Sequence, residues 1–154
     1  MRRRAASALV AVAVLLGAGP ARAAPRIGEI RVHLLYEATG QVSPNIAPPG
    51  DFTGWNTIIG EGDADEPAND LLILVEVIGN GGEENLGMPL TITARGRGGR
   101  VIARRQVPTM LTSGAGRVWK SLWLGGVGCE GRIEVVAAIG GSSERARVNL
   151  DCGE

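Results

Sequence analysis

The sequence is poor in the side chains on which most enzymes depend. Its 154 residues include one histidine, His33, two cysteines and only five aromatic residues. A serine or cysteine hydrolase needs a histidine beside its nucleophile, but His33 alternates with Val32 and Leu34 and falls on the polar side of a predicted strand. Neither a Gly-x-Ser-x-Gly motif nor a phosphate-binding loop is present. We therefore predict a protein that is not an enzyme and has no catalytic residues.

The first 23 residues have the pattern of a signal peptide. Three arginines at positions 2–4 precede an apolar run over residues 5–18, and Ala21-Arg22-Ala23 fits a cleavage site between small residues. The apolar run is shorter than the ~20 residues that span a membrane. We predict a cleaved signal peptide at 1–23, a periplasmic or secreted mature chain, and no transmembrane segment in that chain.

The charges of the mature chain argue against a nucleic-acid partner. Four of the 16 basic residues lie in the signal peptide, which leaves 12 against 16 acidic residues, and such a chain has no excess positive charge to displace phosphate counterions. Residues 32–94 carry ten acidic and no basic side chains, whereas residues 95–154 carry ten basic and five acidic ones. Either the two signs form separate faces that steer a charged partner, or they pair across neighbouring strands.

Apolar residues alternate with period two in short runs that are separated by glycine-rich turns, and no helical periodicity is evident. Seven strands are predicted, near residues 28–36, 71–78, 90–95, 101–107, 118–124, 131–139 and 144–151. This spacing is typical of an all-β, immunoglobulin-like antiparallel β-sandwich. We predict one such domain over residues 24–154, interrupted by a long irregular loop at 37–70.

The last two strands predict a disulfide. A two-residue turn at 140–141 places Ile139 opposite Ser142 and, further along the hairpin, Cys129 opposite Cys152. Residues opposed in this way have Cβ atoms about 4.5–5.5 Å apart, and paired cysteines in an exported chain are usually oxidised. We predict a structural bridge between Cys129 and Cys152.

Residues 71–151 resemble the immunoglobulin-like modules of bacterial envelope proteins, in particular the CARDB type. The resemblance lies in VEVIGNGG (75–82), PLTITARG (89–96), TSGAG (112–116) and GRIEVVAAI (131–139). It implies a spacer, adhesion or binding role and no catalytic residues.

Candidate binding residues are aromatic. Trp119 and Trp123 share one face of a predicted strand, where they could stack on sugar rings or be covered by Phe52 and Trp55 from the loop at 37–70. We favour coverage, because a large aromatic cluster is stabilised by burial. The predicted binding residues are Phe52, Trp55, Asn56, Trp119 and Trp123.

The same loop offers a candidate metal site. Its acidic stretch supplies oxygen ligands of the type that calcium prefers, but it lacks the EF-hand pattern, so a solvated acidic loop is the competing interpretation. The predicted ligands are Glu61, Asp63, Asp65 and Asp70. No other cofactor is expected.

These patterns together predict a non-catalytic accessory or binding module of the bacterial envelope that recognises another envelope protein. Two alternatives stay open: a carbohydrate-binding module that uses the tryptophans, and a calcium-dependent adhesion-type domain that uses the acidic loop.

Overall fold

A computed structural model describes residues 23–47 and 63–150, and this part of the chain is all-β. Seven long strands have bounds within two residues of the predicted ones, and three two-residue strands accompany them. In chain order they are β1 (Arg26–Tyr36), β2 (Gln41–Val42), β3 (Asp70–Ile78), β4 (Asn85–Leu86), β5 (Leu90–Arg95), β6 (Val101–Val107), β7 (Met110–Leu111), β8 (Arg117–Leu124), β9 (Gly131–Ile139) and β10 (Ser142–Leu150).

The seven long strands and the short β2 form two four-stranded antiparallel sheets. Sheet 1 has the order β2-β1-β3-β8 and sheet 2 the order β10-β9-β5-β6, while β4 and β7 pair separately. The chain crosses from sheet 1 to sheet 2 after β3, returns after β6, and crosses again after β8. This is the Greek-key arrangement of an immunoglobulin-like sandwich, and it confirms the predicted fold class.

The core lies between the two sheets. Along β3 and β9 every second side chain points inward, as the pleat of a strand requires, and these side chains are almost inaccessible to solvent. The residues of these two strands with 0% exposure are Leu71, Ile73, Val75, Val77, Ile133, Val135 and Ala137.

The predicted register of the terminal hairpin is confirmed. Ile139 pairs with Ser142, and the ladder continues to the pair formed by Gly131 and Leu150. Cys152 lies outside the described residues, and no cysteine within them is a free thiol. The bridge from Cys129 to Cys152 therefore stays a prediction.

We expect the double substitution Cys129→Ser and Cys152→Ser to lower the free energy of unfolding by about 2–4 kcal/mol, because the reduced chain regains loop entropy in its unfolded state. Urea denaturation of the variant and of the oxidised parent measures the difference. Equal midpoints would contradict a bridge between these residues.

The loop predicted at 37–70 begins as an edge of sheet 1. After a turn, β2 pairs with the end of β1, and the amides of Ser43 and Ile46 then donate hydrogen bonds to the carbonyls of Leu34 and Val32 at 3.0 and 2.8 Å. Ile46 and Ala47 are buried. This segment therefore covers the free edge of β1.

No helix in the described residues is long and apolar enough to cross a membrane.

Candidate binding faces

The outer face of sheet 1 carries two exposed tryptophans. In β8 the inward side chains Leu122 and Leu124 are buried, whereas Trp119 and Trp123, which point outward, are 36% and 47% exposed. The register places Trp123 beside Leu72 of β3. We call this surface the tryptophan face, and its residues are Arg31, His33, Leu35, Leu72, Leu74, Trp119, Ser121 and Trp123.

The tryptophan face is continuous and mostly apolar. Leu72 and Leu74 are half-buried in the central strand, and the tryptophans flank them from the edge strand. Trp119 and Trp123 are four residues apart on one strand, which corresponds to about 13 Å. Such a surface offers two large aromatic anchors on a rigid support.

A cation covers part of this face. The guanidinium of Arg31 lies 4.6 Å from the centroid of the Trp119 ring, a distance at which the ring quadrupole attracts a cation. Arg31 also pairs with Glu29 at 2.8 Å, and this hydrogen bond lowers the pKa of the Glu29 carboxyl. One side of the Trp119 ring is therefore occupied by Arg31.

Glu76 and Arg117 form an ion pair next to Trp119, with Arg117 as the exposed partner. Glu76, which pairs with Trp119 across the strands, is 7% exposed, and Arg117 donates a hydrogen bond to it at 3.0 Å. A Cβ atom at Gly28 would overlap the Glu76 carboxylate, so the glycine leaves room for the Glu76 side chain on the same face as Trp119.

His33 has a structural contact on this face. Its Nδ1 atom lies 2.8 Å from the carbonyl oxygen of Ser43, in the segment that covers the edge of β1. The ring therefore links β1 to that segment. This position agrees with the expectation of a histidine on the sheet surface or at its edge.

The described part of the acidic stretch makes contacts within the fold. Glu66 accepts a hydrogen bond from Thr39 at 2.5 Å, and Asp70 accepts one from the amide of Gly126 at 2.9 Å. Residues 23–47 and 63–150 contain no group of three or more histidine, cysteine, aspartate or glutamate side chains that could hold a metal. Glu61, one of the predicted ligands, lies outside these ranges, so calcium binding stays a prediction.

Of the five predicted binding residues, Trp119 and Trp123 are described, and they lie on the same face of β8. Phe52, Trp55 and Asn56 lie outside the described residues, so the predicted coverage of the tryptophans stays a prediction.

The outer face of sheet 2 is rich in arginine. We call it the arginine face, and its charged residues are Arg95, Arg104, Arg132, Glu134, Arg145 and Arg147. The excess of positive charge in this half of the chain is evident in the sequence, whereas the pairing of β5 with β9 that completes the face is not. The signal was available, because these positions all fall on the outward side of the period-two pattern.

One carboxylate organises the middle of the arginine face. Glu134 accepts hydrogen bonds from Arg147 at 3.1 Å and from Arg145 at 3.3 Å. The Arg147 hydrogen bond and the nearby arginine charges lower the pKa of Glu134. At one end of the face, the glycine-rich turn after β5 borders a groove of about 440 Å³, which is lined by Arg95, Arg97, Arg132 and Glu134.

Comparisons with known proteins supply no family. No family model matches the chain, and no curated protein matches it. The chain has a structural likeness to a Bifidobacterium dentium beta-glucuronidase whose structure was solved with coumarin-3-O-glucuronide: 12% identity, a TM-score of 0.44, and coverage of 83% of this chain. The chain spans 18% of that enzyme's chain, and a likeness of this size supports no inference about activity.

Proposed function

We propose that this protein is an exported, non-catalytic binding module of the bacterial envelope and that it recognises another envelope protein through the tryptophan face. The observation that carries the proposal is the exposure of Trp119 and Trp123 on the same outer face of β8.

The composition of the tryptophan face favours a protein partner. Tryptophan and arginine are the residues most enriched at the energetic centres of protein interfaces, and Arg31 lies directly over Trp119. Leu72 and Leu74 fill the space between the aromatic edge and β1. An exposed apolar patch with a polar border is typical of a surface that another protein covers.

A sugar-binding role receives less support. A sugar platform built on these tryptophans would need open rings for stacking, and Arg31 occupies one side of the Trp119 ring at 4.6 Å. Within residues 23–47 and 63–150 no cation lies over the Trp123 ring, so Trp123 would have to bind the sugar largely alone.

The first experiment captures the partner in cells. A photo-crosslinking amino acid replaces Trp123 in the full chain, and a second variant carries it at Gln106, which is exposed on sheet 2. We expect one envelope protein to be crosslinked from position 123 and not from position 106. Equal crosslinking from both positions, or none from position 123 in a folded protein, would contradict the proposal.

Binding to the captured protein is then measured with purified components. We expect Trp123→Ala to weaken the affinity roughly 30-fold, because truncation of a tryptophan at an interface centre costs about 2 kcal/mol. Leu111→Ala is the matched control, because Leu111 is 65% exposed in β7 and lies outside the tryptophan face. Unchanged affinity of the Trp123 variant, or an equal loss in both, would contradict the assignment. Tight binding of neutral glycans that Trp123→Ala abolishes would favour the carbohydrate-binding alternative.

A further inference from the structure

We infer that the arginine face binds an anionic polysaccharide through its carboxylate or sulfate groups. The site lies on sheet 2, on the opposite side of the sandwich from the tryptophan face, and it therefore adds a second binding surface to the proposed module.

The arginines form a two-dimensional array. The register aligns Arg147 and Arg95 on either side of Glu134, and it aligns Arg145 and Arg104 at opposite edges of the sheet in the neighbouring row. Three strand spacings separate the latter two, which corresponds to about 14 Å. An extended polymer that lies across the strands would therefore meet several guanidinium groups in succession.

Most of this positive charge is not neutralised within the fold. Five arginines share the face with one glutamate, and in residues 23–47 and 63–150 the salt bridges of the face involve only Arg145 and Arg147. Arg104 and Arg132 are exposed and form no salt bridge within those ranges. Exposed guanidinium groups without a carboxylate partner are suited to bidentate contacts with planar oxyanions.

The rest of the face distinguishes a polysaccharide from other polyanions. The described residues of this face include no aromatic side chain on which a nucleic-acid base could stack. The backbone groups of its central strands are paired in the sheet, so a peptide strand would find hydrogen bonds at the sheet edge rather than over the face. Thr93 lies in the row between Arg104 and Arg145, and its hydroxyl group can hydrogen-bond to a sugar.

The groove beside the turn after β5 gives the polymer an anchoring point. It is lined by three arginines and one carboxylate, namely Arg95, Arg97, Arg132 and Glu134. Glu130 holds the turn in shape by accepting hydrogen bonds from the Arg97 amide and the Arg100 guanidinium at 3.2 and 2.8 Å. One charged group of the polymer would enter the groove while its neighbours contact the open sheet.

Three polymers with a common backbone test the inference: dextran, carboxymethyl dextran and dextran sulfate, each immobilised and titrated with the full chain near physiological salt. We expect binding to at least one of the charged forms and none to dextran. The substitutions Arg104→Gln and Arg132→Gln, made together, should weaken this binding roughly tenfold. The control, Arg26→Gln with Lys120→Gln, removes the same charge from sheet 1 and should leave the affinity unchanged.

Thermal unfolding establishes that both double variants are folded. The inference is overturned if neither charged dextran binds, if dextran binds equally well, or if the two double variants lose affinity equally. It is also overturned if poly-L-glutamate binds as tightly as the charged dextrans, which would indicate an acidic-peptide site. These results are independent of the tryptophan face, because Trp123→Ala should not change binding to the charged dextrans.

Discussion

Gly116→Ala should lower the free energy of unfolding by about 4 kcal/mol. Gly116 precedes β8 with φ of +71°, and a Cβ atom there would lie 2.5 Å from the Cα atom of Gly81. A residue other than glycine costs about 1–2 kcal/mol in this left-handed conformation, and overpacking adds about 1–3 kcal/mol. The neighbouring atoms belong to backbone, which cannot rotate away, and the adjacent hydrogen bond from Gly79 to the Gly116 carbonyl at 2.9 Å would be distorted.

Gly114→Ala is the matched control for this substitution. Gly114 lies in the same connection, its Cβ position is open, and its φ is not positive. We expect a change within about 0.5 kcal/mol there. Urea denaturation of both variants gives the comparison, and equal stability of the two would show that the loops at residues 81 and 116 are not in backbone contact.

Ile73→Ala should produce a loss of about 4 kcal/mol, which is within the usual range for a buried isoleucine. Ile73 has no solvent exposure and lies in the middle of sheet 1, between Val32 of β1 and Leu122 of β8. Its truncation would leave a cavity enclosed on all sides, because the strands on both sides are held by their ladders.

Leu72→Ala is the control that tests which face of β3 points into the core. Leu72 is the preceding residue, is half-buried and belongs to the tryptophan face. We expect this variant to lose only about 1 kcal/mol. Denaturation of the two variants side by side is the measurement, and a larger loss for Leu72 than for Ile73 would mean that the inner face of sheet 1 has been assigned the wrong way round.

The strands and their hairpins were predictable because the signals for them are local. In β9 and β10 apolar and polar residues alternate, and the two-residue turn between them leaves one register that pairs Ile133 with Val148. The glycine-rich turn after β5 has the same effect on its hairpin with β6. Neither prediction needed information about distant parts of the chain.

The faces of β3 were not predictable in this way. Its residues LLILVEVI are apolar on both sides, so the alternation that marks an inner face is absent. The packing against sheet 2 decided that Ile73 is enclosed and that Leu72 lies beside Trp123. The hydrogen bonds that Glu66 and Asp70 accept from Thr39 and Gly126 were likewise not predictable, because they join parts of the chain that are far apart in the sequence.

Local chemistry in the sequence thus established an all-β chain, its seven long strands and the register of its last hairpin, because periodicity and turn residues act over a few neighbours. The tertiary structure alone placed Arg95 of β5 beside Glu134 of β9 and Gly116 against Gly81. Residues so far apart in the chain meet only after two sheets have formed and stacked, and no short-range pattern records which strands will be neighbours.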